Sequence, residues 1–145
     1  MVDIATSIAV RAAVDHWAYL VRDSEASACA LRLFFPLRRT WRQPHAGQRV
    51  LISFLENADG ARVELVEPLA EHTLLQKQLA DAGRDCVPYH LCLRVDDFHA
   101  ARECMRRQGW ATLTRPFPAL DPAELASHLY HPSAGMVEII GPAAP

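Results

Sequence analysis

An α+β fold built from two copies of a strand–helix–strand–strand–strand module is predicted by three features of the 145-residue sequence. Strand-length apolar runs are interleaved with helical stretches that carry caps, and their order is the same in both halves. Two histidines and two glutamates also recur at one fixed offset. His16 and Glu64 lie 48 positions apart, as do His90 and Glu138, and the second pair follows the first by 74 positions.

Residues 1–14 are small and weakly patterned and read as an N-terminal extension. The first module spans residues 15–68 and opens with Asp15-His16-Trp17-Ala18-Tyr19-Leu20-Val21, an apolar run with the aromatic content of a strand. Asp23 or Ser24 offers an N-cap for a helix over Glu25 to Phe34, which Pro36 stops. A weaker strand around Arg38 to Arg42 follows, then strands over Arg49 to Leu55 and Arg62 to Val66. The turn between the last two, Asn57-Ala58-Asp59-Gly60, has hairpin composition. Residues 69–88 link the modules: Pro68 closes the first, Glu71 to Ala82 forms a linker helix, and Gly83 to Pro88 is rich in turn residues. The second module, residues 89–141, begins with a strand over Tyr89 to Val95. Asp97 caps a helix running to about Gln108, and Gly109 stops it. Strands over Trp110 to Thr114, Glu124 to Tyr130 and Met136 to Ile140 complete the module, leaving residues 142–145 as a tail. The loop Arg115 to Asp121, stiffened by Pro116 and Pro118, is placed to wall a cleft.

Half of the residues are apolar, 22% are charged and the net charge is −2. That composition belongs to a globular chain rather than a disordered one, and it lacks the basic excess of a nucleic-acid binder. No stretch reaches the ~18–20 apolar residues of a membrane helix. Met1-Val2-Asp3 lacks the basic start of a secretory signal. Cys29, Cys86, Cys92 and Cys104 form no CxxC pair and read as reduced thiols of a cytoplasmic protein.

The recurring residues carry the chemistry. If the modules pack about a pseudo-twofold axis, His16, Glu64, His90 and Glu138 converge on one point. Two imidazoles and two carboxylates make an N₂O₂ donor set suited to Zn, Co, Ni, Mn or Fe(II), with water or substrate oxygens in the remaining positions. Met136, Glu138 and Ile140 share one strand face, so Glu138 stands in an apolar setting where a carboxylate needs a partner. Glu64 is flanked on its own face by Arg62 and Val66, which leaves a solvent-facing reading open.

Four fragments, in their order and spacing, resemble the vicinal oxygen chelate superfamily, and within it the methylmalonyl-CoA epimerase-like branch. They are Asp15-His16; Val63-Glu64-Leu65-Val66-Glu67-Pro68; His90 with Arg94-Val95-Asp96-Asp97; and His131-Pro132 leading through Gly135 to Val137-Glu138-Ile139. The resemblance runs from Asp15 to Gly141. It implies that the paired βαβββ modules form an open, curved, eight-stranded sheet around a divalent metal ion. His16, His90 and Glu138 would be ligands, with Glu64 at a fourth position where some epimerases carry glutamine. The chain departs from the branch at Tyr89, where epimerases have a second histidine. It departs again at Ile52, four residues after Gln48, where bacterial epimerases place a catalytic glutamate.

The activity so implied is that of a metal-dependent epimerase, isomerase or lyase that removes an α-proton beside a metal-bound carbonyl. Glu138 and Glu64 would divide the roles of ligand and base. The implied substrate is an acyl-CoA or another small α-acidic carbonyl compound, and the implied assembly is a homodimer with each site completed inside one chain. A second reading is a non-catalytic binding protein like the superfamily's drug-resistance members; a third, ranked last on chain length, is an Fe(II) dioxygenase. Among the other polar residues, His45 lies in a loop that could bring it to the cleft as a substitute base. His128 and His131, three apart on a strand, face opposite ways and do not share a metal. His72 and His99 read as solvated helix residues, Cys92 as a small buried thiol, and the run Arg38 to Arg42 as a solvated strand edge. Trp17 and Tyr19 are expected to pack under the first helix.

Overall fold

The computed structural model describes residues 10–144, so the expected extension and tail lie partly outside the described residues. In chain order the elements are β1 (Ala12–Val21), α1 (Ser24–Leu31), β2 (Leu37–His45), β3 (Val50–Glu56), β4 (Arg62–Pro68), α2 (Thr73–Ala82), β5 (Cys86–Val95), α3 (Phe98–Arg107), β6 (Ala111–Thr112), β7 (Phe117–Pro118), β8 (Glu124–His131) and β9 (Gly135–Pro142). They form one open sheet in the order β2-β3-β4-β1-β5-β9-β8-β6, with β7 pairing to β8 off that path.

The repeat extends to the hydrogen-bond register. β1 runs parallel to β4 with Trp17 opposite Val63 and Ala18 opposite Glu64; β5 runs parallel to β9 with Leu91 opposite Val137 and Cys92 opposite Glu138. A shift of 74 residues maps each of these pairs onto its counterpart. The antiparallel β1–β5 ladder joins the modules, with His16 opposite Cys92 and Ala18 opposite His90. Those two pairs also exchange under the same shift, so the pseudo-twofold axis passes through this ladder.

The nine-stranded sheet has one strand more than expected, and the proline positions explain it. Residues 111–119 are the repeat counterpart of β2. Pro116, which stands where β2 has Arg42, has no amide hydrogen to give to a ladder, so the strand breaks there into β6 and β7, while Pro118 lies within β7 as Pro44 lies within β2. The expected strand over Trp110 to Thr114 is therefore reduced to two residues, and the expected loop contains β7.

Other boundaries move for local reasons. β1 and β5 start at Ala12 and Cys86 rather than Asp15 and Tyr89, which puts both histidines in mid-strand. Pro88 is accommodated because β5 pairs with β9 only over Leu91 to Arg94. α1 ends at Leu31, short of Phe34, because Pro36 bars Phe35 from helical geometry; the amides of Phe34 and Phe35 both close on the Leu31 carbonyl. His72 is the N-cap of α2 rather than a solvated helix residue, its Nδ1 accepting the Leu75 amide at 3.4 Å. Gly83, at φ 61°, ends that helix in the left-handed conformation that glycine adopts without strain.

The helices divide the core. α1 brings Ala28 onto Val21, Leu55, Val63 and Leu65; α3 brings Phe98 and Ala101 onto Val95, Leu129, Val137 and Ile139. α2 closes one end of the opposite face, where Leu75 and Leu79 meet Leu20, Val50, Val66 and Val87. Each buried Val, Leu, Ile or Phe among these contributes about 1.5–3 kcal/mol. Tyr19 packs with the α1 cluster as expected, but Trp17 is 51% exposed. It sits on the central ladder opposite Leu91, between the patches covered by α1 and α3. The basic run on β2 is neutralised rather than free: Arg38 pairs with Glu25, Arg39 with Glu56 and Arg42 with Glu67. Among the described residues no helix is long and apolar enough to cross a membrane.

Candidate metal centre

A β-bulge precedes each of the two histidines. The β1–β5 register slips between Val14 and His16, making Asp15 the extra residue, and slips again opposite Ala18–Tyr19, making Tyr89 the extra residue. A bulge re-aims a side chain, and here it turns the preceding residue toward the histidine's own face. Asp15 Oδ1 accordingly meets His16 Nδ1 at 2.7 Å, and the Tyr89 ring lies 5.0 Å from that of His90. Asp15 and Tyr89 are themselves 74 positions apart, so the bulge belongs to the repeat while the side chain on it differs.

The structure brings His16, Glu64, His90 and Glu138 together, with one ligand atom of each lying within 4.8 Å of all the others. Glu64 Oε2 is 2.6 Å from His16 Nε2 and 3.4 Å from His90 Nε2. Glu138 Oε1 stands 3.8 and 3.6 Å from the same two nitrogens. All four side chains are buried. His16 Nε2, His90 Nε2 and Glu64 Oε2 nonetheless lack an aligned hydrogen bond. Buried polar atoms left this way cost about 1–3 kcal/mol each. Lone pairs converging on one point are what a divalent cation satisfies, and the N₂O₂ set fits one.

The surroundings support His16 from behind. Asp15 receives His16 on Oδ1, and is itself held by Arg62 at 2.9 Å and Arg94 at 3.0 Å. A carboxylate on the far nitrogen fixes the ring tautomer of a metal-binding histidine and raises its basicity, and losing such a partner weakens metal binding about 10–100-fold. Asp15→Asn is expected to show a loss of that size in chelator competition. An unchanged affinity would remove Asp15 from the centre. His90 has no such support, since its Nδ1 is buried without a partner.

In the metal-free chain these charges interlock. Burial alone would lower the His16 pKa, but Asp15 and Glu64 outweigh it and hold it up at about 9. Burial would raise Asp15, yet His16, Arg62 and Arg94 bring it down to about 2. Against burial, His16 and His90 keep Glu64 well below the usual carboxylate range, and His128 and His90 do the same for Glu138. Burial and the two glutamates push Tyr89 up to about 12. A His16 pKa raised from 6.5 to about 9 corresponds to stabilisation on the order of 3 kcal/mol. That contribution is complete below pH 6.5 and lost as pH rises through 9. Chelator-treated protein is therefore expected to lose thermal stability across this window, and His16→Gln to follow a flatter profile. The His16 proton also competes with a cation, so metal affinity should climb over the same range.

Residues 15–124 match the profile of the glyoxalase/bleomycin resistance protein/dioxygenase superfamily. The chain belongs to that superfamily. No curated protein sequence matches the chain. Among solved structures, methylmalonyl-CoA epimerase from Mycobacterium tuberculosis superposes with a TM-score of 0.76 at 21% identity, covering 98% of this chain and 94% of that one. A hypothetical protein, BH1468 from Bacillus halodurans C-125, gives 0.74 at 19% identity, with 92% and 96% covered. A Streptomyces coelicolor methylmalonyl-CoA epimerase in complex with 2-nitronate-propionyl-CoA gives 0.68 at 22% identity, with 90% and 97% covered. The superfamily fold is thus shared over nearly the whole chain.

A cavity of about 330 Å³ lies beside the centre. Thr40 of β2 and Ala126 of β8 both line it, so strands near opposite edges of the sheet curl round the same space. Ile52, Phe54, Phe117, Leu120 and Ile140 give it an apolar wall, with Arg62 and Arg94 at its polar end. His45 reaches the cavity but offers it neither nitrogen: Nε2 is bonded to the Pro118 carbonyl at 3.1 Å and Nδ1 is buried. His99 is exposed and Cys92 fully buried. His131 faces away, its Nδ1 accepting the Ser133 amide. His128, which the sequence reading left outside the site, is buried with Nε2 3.0 Å from Glu138 Oε2. Its distance of 74 positions from cleft-lining Phe54 was the available signal.

Proposed function

We propose that the chain is a divalent-metal-dependent enzyme that moves a proton at a carbon beside a carbonyl group. The observation that carries this reading is the convergence of His16, Glu64, His90 and Glu138 in a buried cluster at the wall of a cavity. An ion bound there would polarise a substrate carbonyl and acidify the adjacent C–H. His16, His90 and Glu64 would hold it, with Glu64 placed between both imidazoles. Glu138 stands further from them and completes the set as the carboxylate that moves the proton. The apolar wall would keep bulk water from the reacting carbon. Two carboxylates in the set distinguish it from the two-His, one-carboxylate iron sites of dioxygenases.

The substrate class we propose is a short acyl thioester or another small α-acidic carbonyl compound. Two neighbours of this fold are methylmalonyl-CoA epimerases, one of them holding a propionyl-CoA analogue. The cavity volume suits an acyl group and its thioester, and Arg38, Arg39 and Arg42 of β2 are each ion-paired within the chain. The test is α-proton exchange: metal-loaded protein in deuterium oxide should erase the α-hydrogen NMR signal of such a compound. Binding of these compounds without exchange would favour the resistance-type, non-catalytic role instead.

A further inference from the structure

The repeat provides an internal control for the second carboxylate. In the first module Phe54 stands opposite Glu64 across β3–β4, its ring 5.0 Å from that of His16. The residue 74 positions on is His128. It stands opposite Glu138 across β8–β9, its ring 5.0 Å from that of His90. Strand position, neighbouring histidine and facing carboxylate correspond; the ring alone differs. A phenyl group offers Glu64 nothing polar, whereas the imidazole brings Nε2 to 3.0 Å from Glu138 Oε2.

We infer that His128 is a positioning residue for Glu138, holding the outer oxygen Oε2 so that Oε1 faces His16 and His90. The inference rests on the metal-site reading above. Three observations support it. The ring is fixed: His128 is 6% exposed, its amide donates to Thr114 Oγ1 at 2.8 Å, and Phe117 lies 5.5 Å from it. Its Nε2 is buried without an aligned hydrogen bond, and the charged atom beside it is Glu138 Oε2. Finally, the four atoms that cluster within 4.8 Å do not include any of His128. His128 is therefore a holder of a ligand and not a fifth ligand. A carboxylate restrained through one oxygen offers only the other to the centre, which keeps positions there free for substrate oxygens.

His128→Phe copies the first module's own residue at this place, so the variant is expected to fold with a wild-type circular dichroism spectrum. Loaded with Co(II), it should bind about 10–100-fold more weakly in chelator competition, the cost of losing an outer partner. Its visible d–d bands should also shift from those of the wild type. His128→Gln, whose amide nitrogen can reach Oε2, should restore both readouts. Equal affinity and equal spectra in wild type and His128→Phe overturn the inference and leave the metal site standing. A loss in His128→Gln as large as in His128→Phe shows that a donor to Oε2 is not what the imidazole supplies and overturns it too. Failure of folded wild type to take up Co(II) removes the metal-site reading and this inference together. His128→Leu serves the same comparison should the Phe variant not fold.

Discussion

Protein stripped with chelator and exposed to Co(II) or Ni(II) is expected to retain about one ion per chain after gel filtration, and His90→Ala to retain none. The expectation follows from where unsatisfied polarity sits. His90 Nε2 is 3.4 Å from Glu64 Oε2 and 3.6 Å from Glu138 Oε1, so it touches both carboxylates of the set. Replacing it removes one of four donors and the imidazole that separates the two acids. The loss should exceed the ~10–100-fold cost of removing an outer-shell partner. Heat denaturation offers a readout independent of activity. An ion at a hundred times its Kd stabilises the folded chain by about 2.7 kcal/mol. For a domain of this size that is a rise in Tm of roughly 6–12 °C. Wild type should show the rise and His90→Ala should not, with circular dichroism checking that both are folded before metal is added. Absence of both uptake and a shift in wild type would sink the metal-dependent reading, and the chain would then be treated as a cleft-type binder.

How far the sequence reaches this arrangement depends on what the 74-residue offset can and cannot carry. The offset specifies convergence, because Trp17–Val63 and Leu91–Val137 are the same parallel register written twice. Simple alternation then fails at the bulges. It would put Asp15 on the face opposite His16, whereas the extra residue in the ladder lets the two side chains meet. Bulges are decided by pairing across strands, which one strand's pattern does not contain. Trp17 is misread for a related reason: its exposure depends on how far α1 and α3 spread over the sheet, a tertiary fact. The split of β6 from β7 was within reach, since Pro116 interrupts a segment that the repeat aligns with β2. His128 was within reach as well, through Phe54. Its meaning required the β8–β9 register that sets it opposite Glu138.

Glu138→Gln is expected to lower α-proton exchange by about 10²–10⁴-fold, the usual worth of a general acid–base group, while the chain still binds its ion. The amide keeps an oxygen near the centre but cannot carry a proton, so holding and proton transfer come apart in this variant. Glu64→Gln is the matched control. Glu64 is wedged between both imidazoles, a position where an oxygen donor alone suffices, and its exchange rate should fall by less than about tenfold. Metal content measured on the same samples separates lost chemistry from lost metal. A reversed pattern would make Glu64 the base and leave Glu138 as a ligand only. The stereochemical outcome adds a second criterion. Inversion at the α-carbon needs a proton donor on the face opposite the base. Ile52, buried at the cavity wall, carries none, both nitrogens of nearby His45 are occupied or buried, and the cavity's other carboxylates are engaged: Asp15 by His16 and two arginines, Asp121 by the Ala123 amide and Glu124 by Arg94. A single carboxylate returns the proton to the face it came from, or to a neighbouring atom of the same substrate. Exchange in deuterium oxide should therefore outrun racemisation, and the chemistry should lean toward an isomerase-type proton shift rather than epimerisation. Racemisation as fast as exchange would show that a second acid reaches the opposite face.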